Sequence, residues 1–164
     1  MPAADPAPTW VFRLTSGVAV RLVPLALVLF IASFGIYAAA SGPTLDLAQV
    51  PAWWAVVAVV IGTLAVHEAL HGAGFLAFGG RPRFGLTFKG GMLYAYASCP
   101  GRLFSRGQYL VIGALPLVVI DLAALALARQ PQLVVVAMAA FALNTPGASV
   151  DLWMPALTPR PPAG

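Results

Sequence analysis

The chain has 164 residues, of which 60% are hydrophobic and only 9% are charged. Soluble globular domains carry roughly 25% charged residues, so this composition excludes a fold with a water-exposed surface and indicates a protein embedded in lipid. The net charge of +4 does not indicate a nucleic-acid partner, because the basic residues flank apolar segments and form no cluster of their own.

Four apolar segments are each long enough to cross a bilayer, since a transmembrane helix needs roughly 20 residues. They cover residues 22–40, 51–78, 109–128 and 133–157. The chain is therefore predicted to be an all-α membrane protein with about four transmembrane helices. These form a single domain at residues 21–158, between short tails at residues 1–20 and 159–164.

The positive charges predict the orientation of these helices. With the N-terminus in the cytoplasm, every basic residue except Arg129 falls on the cytoplasmic side. Basic residues of membrane proteins concentrate on that side, so both termini are predicted to be cytoplasmic and the chain to lie in the inner, cytoplasmic membrane. Trp53 and Trp54 lie at the opposite end of the second span, where an aromatic belt is expected.

The cytoplasmic loop between the second and third spans has internal structure of its own. Arg83–Lys89 and Met92–Ser98 flank the pair Gly90-Gly91, a pattern that predicts a short β-hairpin. The edge of such a hairpin could receive an extended peptide, or the hairpin could serve as a plug that covers the helix ends. Cys99, the only cysteine, lies in this loop and excludes an intramolecular disulfide.

The second span contains the motif His67-Glu68-Ala69-Leu70-His71. Because His67 and His71 are four residues apart, their imidazoles project from the same face of a helix. Glu68 is adjacent and can reach a nearby water without being a ligand. This spacing is typical of zinc hydrolases in which two histidines bind Zn²⁺ and the glutamate acts as general base.

The position of the motif strengthens this interpretation. The chain has only two histidines, and Glu68 is its only glutamate. All three lie within one predicted membrane helix, where an ionisable side chain costs several kcal/mol unless it is paired or coordinated. The alternative is a hydrogen-bonded polar cluster without a metal. Gly62, Gly72 and Gly74 of the same helix would permit close packing or a local break near the site.

Zinc needs at least a third protein ligand, and the candidates in the other spans are Asp121 and Asp151. At the helical rise, His67 and Asp151 lie about 24 and 27 Å from the outer ends of their spans. Depth does not exclude Asp121, but Asp151 is favoured because residues 144–151 are polar. Pro146-Gly147 in this stretch predicts a broken helix that lines a cavity. Asp121 would then handle protons or pair helices.

The order of these motifs resembles the site-2 protease class of intramembrane zinc metalloproteases. It is still more similar to a family of small bacterial membrane proteins, the putative zincin peptidase family. The likeness covers roughly residues 50–155, and its motifs are His67–Gly72, Leu93–Ala97, Phe104–Leu110, Leu115–Pro116 and Asn144…Pro146…Asp151. The resemblance implies that zinc is bound by His67, His71 and Asp151. It also implies that Glu68 is the catalytic base and that Asn144 lines the site.

Two features depart from the site-2 protease pattern. Asp151 is followed by Leu152, where that pattern has glycine, and the chain is too short for a substrate-selecting domain such as a PDZ module. Both count against regulated proteolysis as the task of the protein, and neither changes the predicted metal ligands.

The predicted function is an intramembrane zinc metallopeptidase that hydrolyses peptide bonds of membrane-associated proteins. Its expected partners are the lipid bilayer and a membrane-associated peptide substrate, with no nucleic acid. The alternative is a catalytically silent membrane scaffold whose polar residues pack the bundle or bind a structural metal. A small transporter fits less well, because the sequence offers one ligand cluster and no second polar pathway.

Overall fold

The structure of the chain is a computed structural model that describes residues 16–46, 52–89 and 92–156. Its elements are, in chain order, α1 (Ser16–Ser41), a short 3-10 turn (Gly42–Thr44), α2 (Trp53–Ala77), β1 (Arg83–Lys89), β2 (Met92–Ser98), α3 (Arg106–Ala126) and α4 (Val134–Ala156). Each of the four α-helices contains a segment long and apolar enough to cross a membrane. The predicted fold, a four-helix membrane protein with a small hairpin between the second and third helices, is confirmed.

Two helices start earlier than the apolar segments suggested. α1 is helical from Ser16, six residues before the predicted start, so the helix extends beyond the apolar segment. α3 starts at Arg106 because a capping box precedes it. Ser105 Oγ accepts a hydrogen bond from the Gln108 amide at 3.2 Å, and Gln108 Oε1 accepts one from the Ser105 amide at 2.8 Å.

α1 packs against α3 and α4 along a narrow stripe. Ser33, Tyr37 and Ser41 recur every four residues and are fully buried. The Tyr37 hydroxyl donates to the Ala124 carbonyl at 3.3 Å, and its ring lies 5.7 Å from that of Phe141. The outward faces carry large aliphatic side chains, as expected of helices that contact lipid.

Glycines set the distances between α2, α3 and α4. A Cβ on Gly74 would lie 3.3 Å from Ile112 Cα, and one on Gly113 would lie 2.8 Å from the Asp151 carbonyl oxygen. Gly72 lies directly against the Phe84 ring of the hairpin. A Cβ on Gly62, in contrast, would meet nothing within 4 Å. The predicted close packing is therefore found at Gly72 and Gly74 and not at Gly62, and α2 has no local break.

The end of α2 directs the chain into the hairpin. Gly79 has φ +74, a conformation that glycine adopts readily. Its amide donates to the Leu76 carbonyl at 2.8 Å, and the Gly80 amide donates to the Phe75 carbonyl at 2.8 Å. These two bonds form a Schellman motif. Arg102 Nη1 donates to the Gly79 carbonyl at 2.8 Å, which ties the turn to the segment before α3.

The hairpin has the predicted strands. β1 and β2 pair antiparallel from Arg83 opposite Ser98 to Lys89 opposite Met92, whereas the predicted turn at residues 90 and 91 lies outside the described residues. Alternation along β1 places Phe84, Leu86 and Phe88 on one face of the hairpin. These three side chains are 59–72% exposed. This face lies beside α2, where Phe84 and Leu86 line a groove together with α2 residues as far along the helix as Ile61.

The prediction of a break in the fourth helix was wrong, because α4 is continuous from Val134 to Ala156 through Pro146 and Gly147. Proline removes one backbone donor, but membrane helices tolerate this where neighbouring groups satisfy the freed carbonyls. The polar residues of α4 therefore project from an intact helix.

Candidate metal centre

Three side chains from two helices meet at one point. α2 contributes His67 and His71, which lie one turn apart, and α4 contributes Asp151. The two Nε2 atoms are 3.1 Å apart. Asp151 Oδ2 lies 3.1 Å from His67 Nε2 and 3.3 Å from His71 Nε2. These atoms form the one group of three or more metal-ligating side chains within the described part of the chain.

The cluster lies deep in the bundle. The exposed fractions of the three side chains are 12% for His67, 11% for His71 and 21% for Asp151. His67 is 14 residues from the start of α2 at Trp53 and 10 from its end at Ala77, or about 21 and 15 Å along the helix axis. The site thus lies within a candidate membrane span, in the C-terminal half of α2.

A backbone carbonyl group of α3 fixes the orientation of the His71 ring. Its Nδ1 lies 3.0 Å from the Ile112 carbonyl oxygen of α3, which can only accept, so Nδ1 carries the hydrogen and donates it. This carbonyl is free because Pro116, four residues later, has no amide hydrogen to donate to it. Gly74 lets Ile112 approach closely enough for the contact. The lone pair of the neutral ring is therefore on Nε2, which faces Asp151.

The His67 ring is held by the side-chain amide of Asn144, and the other contacts of that amide fix its orientation. Asn144 is 1% exposed, and its Nδ2 donates to the Pro116 carbonyl at 3.1 Å and to Asp121 Oδ1 at 2.8 Å. Since a carbonyl oxygen cannot donate, Nδ2 must face it, and Oδ1 then faces His67 Nδ1 at 2.8 Å. His67 Nδ1 is therefore the donor, and its Nε2 also carries a lone pair.

This donor set fits a zinc ion. With both rings neutral, no hydrogen lies between the two Nε2 atoms and Asp151 Oδ2, so three electron-rich atoms face each other without a donor. Tetrahedral zinc ligands at about 2.0–2.1 Å from the ion lie roughly 3.3 Å from each other. The observed separations are 3.1 to 3.3 Å. Two imidazoles and a carboxylate are also an established ligand combination of catalytic zinc.

Asp121, the alternative third ligand, lies elsewhere. Its Oδ1 accepts from Asn144 Nδ2, and its Oδ2 accepts from Thr145 Oγ1 at 2.9 Å. The structure therefore separates the two carboxylates: Asp151 contacts both histidines directly, whereas Asp121 contacts the residue behind His67.

Glu68 is half-buried and lies on the wall of a groove between α2 and the hairpin. The groove has a volume of about 530 Å³. Its lining is otherwise apolar or aromatic, with Ile61, Leu64, Ala65 and Ala69 from α2 and Phe84, Gly85, Leu86, Ala95 and Tyr96 from the hairpin. The predicted base thus lies next to His67 in sequence and opens onto a space that a substrate could enter.

The groups that hold the histidines in place were not predicted from the sequence. These are the Ile112 carbonyl, which accepts from His71, and the Pro116 carbonyl, which accepts from Asn144. The available signal was Pro116 itself, since a proline inside an apolar helix leaves the carbonyl four residues earlier without its usual donor. Gly113 was a second signal, because a glycine in a helix interior often marks a close approach.

The role of Pro116 can be tested by substitution. Pro116→Ala restores an amide that competes for the Ile112 carbonyl, so we expect zinc affinity to fall by about tenfold, at the low end of the effect of a lost second-shell partner. Pro24→Ala is the matched control, because Pro24 also lies inside a helix but is exposed on α1. Chelator competition measures both affinities. Equal affinities of the two variants would contradict this account.

Residues 60–164 match a protein family described as "Putative zincin peptidase". No curated protein and no solved structure matches the chain. The matched segment covers most of α2, the hairpin, α3 and α4, and so includes every residue of the candidate site, while α1 lies outside it. A zincin is a zinc-dependent peptidase, in agreement with the donor set. The chain therefore belongs to the putative zincin peptidase family.

Proposed function

We propose that this chain is an intramembrane zinc metallopeptidase that hydrolyses peptide bonds of membrane-associated proteins. The observation that carries the proposal is the convergence of His67 Nε2, His71 Nε2 and Asp151 Oδ2 within 3.3 Å of one another, inside candidate membrane spans. Membership in the family supports the peptidase chemistry. The depth of the cluster along α2 supports an intramembrane location.

His67, His71 and Asp151 would hold the metal. Zinc bound there would supply Lewis acidity, which makes water a usable nucleophile near neutral pH. Glu68, adjacent to His67, would accept a proton from the attacking water as its oxygen bonds to the peptide carbonyl carbon. The carbon–nitrogen bond then breaks, and Glu68 returns the proton to the leaving amine. The new carboxylic acid then loses the second proton of the water to solvent, so the products are a carboxylate and an amine.

The groove that Glu68 lines supports an extended, apolar substrate segment. Leu64, Phe84 and Leu86 form much of its wall, and such a wall binds apolar side chains in preference to charged ones. A peptide carbonyl inside an intact helix is bonded within that helix, so a substrate must be unwound before it can react. Hairpin backbone beside the groove could bind such an extended strand.

The exposed arginines support an orientation in which the C-terminus of α2 faces the cytoplasm. Arg81, Arg83, Arg102 and Arg106 are exposed at the end of the bundle where α2 ends and α3 begins. Arg129 lies at the other end, where its Nε donates to the Ala40 carbonyl at 2.9 Å. By the positive-inside rule, we infer that the site is reached from the cytoplasmic half of the inner membrane.

The proposal is tested by metal removal. Purified protein in lipid nanodiscs should contain about one zinc per chain, since the described residues form one candidate site. It should also cleave a reporter with an apolar membrane segment. Treatment with a zinc chelator should remove the metal and the cleavage together, and added zinc should restore both. Cleavage that continues without metal would overturn the proposal. Zinc bound at one per chain without cleavage of any tested reporter would favour a structural metal site instead.

A further inference from the structure

We propose that Asp121 is a positioning residue that orients His67 for metal binding by holding Asn144. The proposal rests on the proposed zinc site, although not on peptidase activity. Of the three carboxylates in the described helices, Asp151 is a candidate ligand and Glu68 is the candidate base. The proposal assigns a role to the third. The contacts form a chain from Asp121 Oδ1 through the Asn144 amide to His67 Nδ1, with both links at 2.8 Å.

The contacts of Asn144 select one of the two possible orientations of its side-chain amide. An amide can rotate about its Cβ–Cγ bond and can exchange its oxygen and nitrogen positions. Only one arrangement gives His67 Nδ1 an acceptor, the one in which Nδ2 points away from the histidine. Asp121 Oδ1 lies 2.8 Å from Nδ2 and the Pro116 carbonyl lies 3.1 Å from it. Both donor hydrogens of Nδ2 are thus used on the side opposite His67.

The two acceptors of the Asn144 amide, Asp121 and the Pro116 carbonyl, differ in the strength of the hydrogen bond that they form. Hydrogen bonds to an ionised acceptor are shorter and roughly twice as strong as those between neutral groups. The carboxylate bond is the shorter of the two. Thr145 Oγ1, from the residue next to Asn144, donates to the other carboxylate oxygen at 2.9 Å. Asp121 is therefore held by two consecutive residues of α4, which sets the position of α4 beside α3 at the depth of the site.

The orientation of Asn144 affects how His67 can bind the metal. A histidine that donates its Nδ1 hydrogen to Asn144 presents its Nε2 lone pair to the cluster, and partners of this kind fix both the tautomer and the ring orientation of metal-binding histidines. In the absence of Asp121, Asn144 would keep one anchor, the Pro116 carbonyl, and could turn away from His67. The expected consequence is weaker metal binding, with all three ligands still present.

The test is a double-mutant cycle read out as zinc affinity by chelator competition. Asp121→Leu, which preserves size but removes both acceptor oxygens, should lower zinc affinity by about 10- to 100-fold, the usual effect of losing a second-shell partner. In an Asn144→Ala background, the same substitution should change affinity by less than about twofold, because its route to His67 is already absent. Asp121→Ala carries the same expectation should the leucine variant fail to fold.

Two further variants separate positioning from a general structural role. Asp121→Asn retains an oxygen that can accept from Asn144, and its affinity should stay within about tenfold of the wild type, below the range for a lost partner. Thr145→Val removes the other contact of Asp121 and should also retain zinc. In Co²⁺-loaded protein, Asp121→Leu should alter the visible absorption spectrum, which reports ligand geometry, and Asp121→Asn should restore it.

The possible results separate the role of Asp121 from the zinc site and from the peptidase function. The proposal is overturned if Asp121→Leu binds zinc as tightly as the wild type, or if it lowers affinity equally in both backgrounds. Wild-type protein that binds no zinc would overturn the zinc site as well. Zinc binding with the expected cycle but without peptide cleavage would leave the role of Asp121 supported and count against the peptidase function alone.

Discussion

Glu68→Gln should lower the rate of peptide cleavage by about 10²- to 10⁴-fold, the range for loss of a general base. The amide has almost the same size as the carboxylate but cannot accept a proton from water at neutral pH. Glu68 lies on the wall of the groove, outside the group formed by His67, His71 and Asp151. Zinc affinity should therefore remain close to that of the wild type.

The measurement pairs two readouts on the same preparation, metal content and cleavage rate. Tyr96→Phe is a suitable control on the opposite wall of the groove, because it removes a hydroxyl and keeps the ring. It should leave the cleavage rate within a few-fold of the wild type, since no proton transfer is assigned to it. A Glu68→Gln variant with full activity would contradict the assigned base. Loss of zinc in that variant would instead place Glu68 among the ligands.

Much of the fold could be predicted because membrane helices obey a length rule. Each span had to be roughly 20 apolar residues long, and the strands beside Gly90-Gly91 followed from turn chemistry. The pairing of His67 with His71 followed from helical spacing alone. These features depend on local sequence, so one chain contains the information needed to predict them.

The contacts behind the ligands depend on how the helices are rotated against each other. In soluble helices the apolar stripe predicts this rotation, but here both the lipid-facing and the buried sides are apolar, so no stripe is visible. Pro116 indicates that the Ile112 carbonyl is free, but no local pattern indicates that this carbonyl faces His71 or that Asp121 faces Asn144. The continuity of α4 through Pro146 was missed for a related reason, since it depends on neighbouring helices as well as on the proline.

The second large effect is expected at Asp151. Asp151→Asn should lower zinc affinity by more than about 100-fold, beyond the range for a lost second-shell partner, because it replaces an anionic ligand by a neutral amide in the metal-binding group. Cleavage should be lost with the metal. Asp121→Asn is the matched control, with the same chemical change in the neighbouring helix, and should retain zinc. Metal content after dialysis and chelator competition measure both variants.

The comparison of these two variants is informative because the substitutions are identical and only the contacts differ. Asp151 Oδ2 lies 3.1 and 3.3 Å from the two histidine Nε2 atoms, whereas Asp121 contacts Asn144 and Thr145. An amide can replace a carboxylate as a hydrogen-bond acceptor, but it cannot supply the negative charge that a divalent cation favours. If Asp121→Asn lost zinc and Asp151→Asn retained it, the ligand assignment would have to be reversed. Equal loss in both variants would mean that the two carboxylates act as one unit, with the charge of Asp121 contributing to metal binding across Asn144.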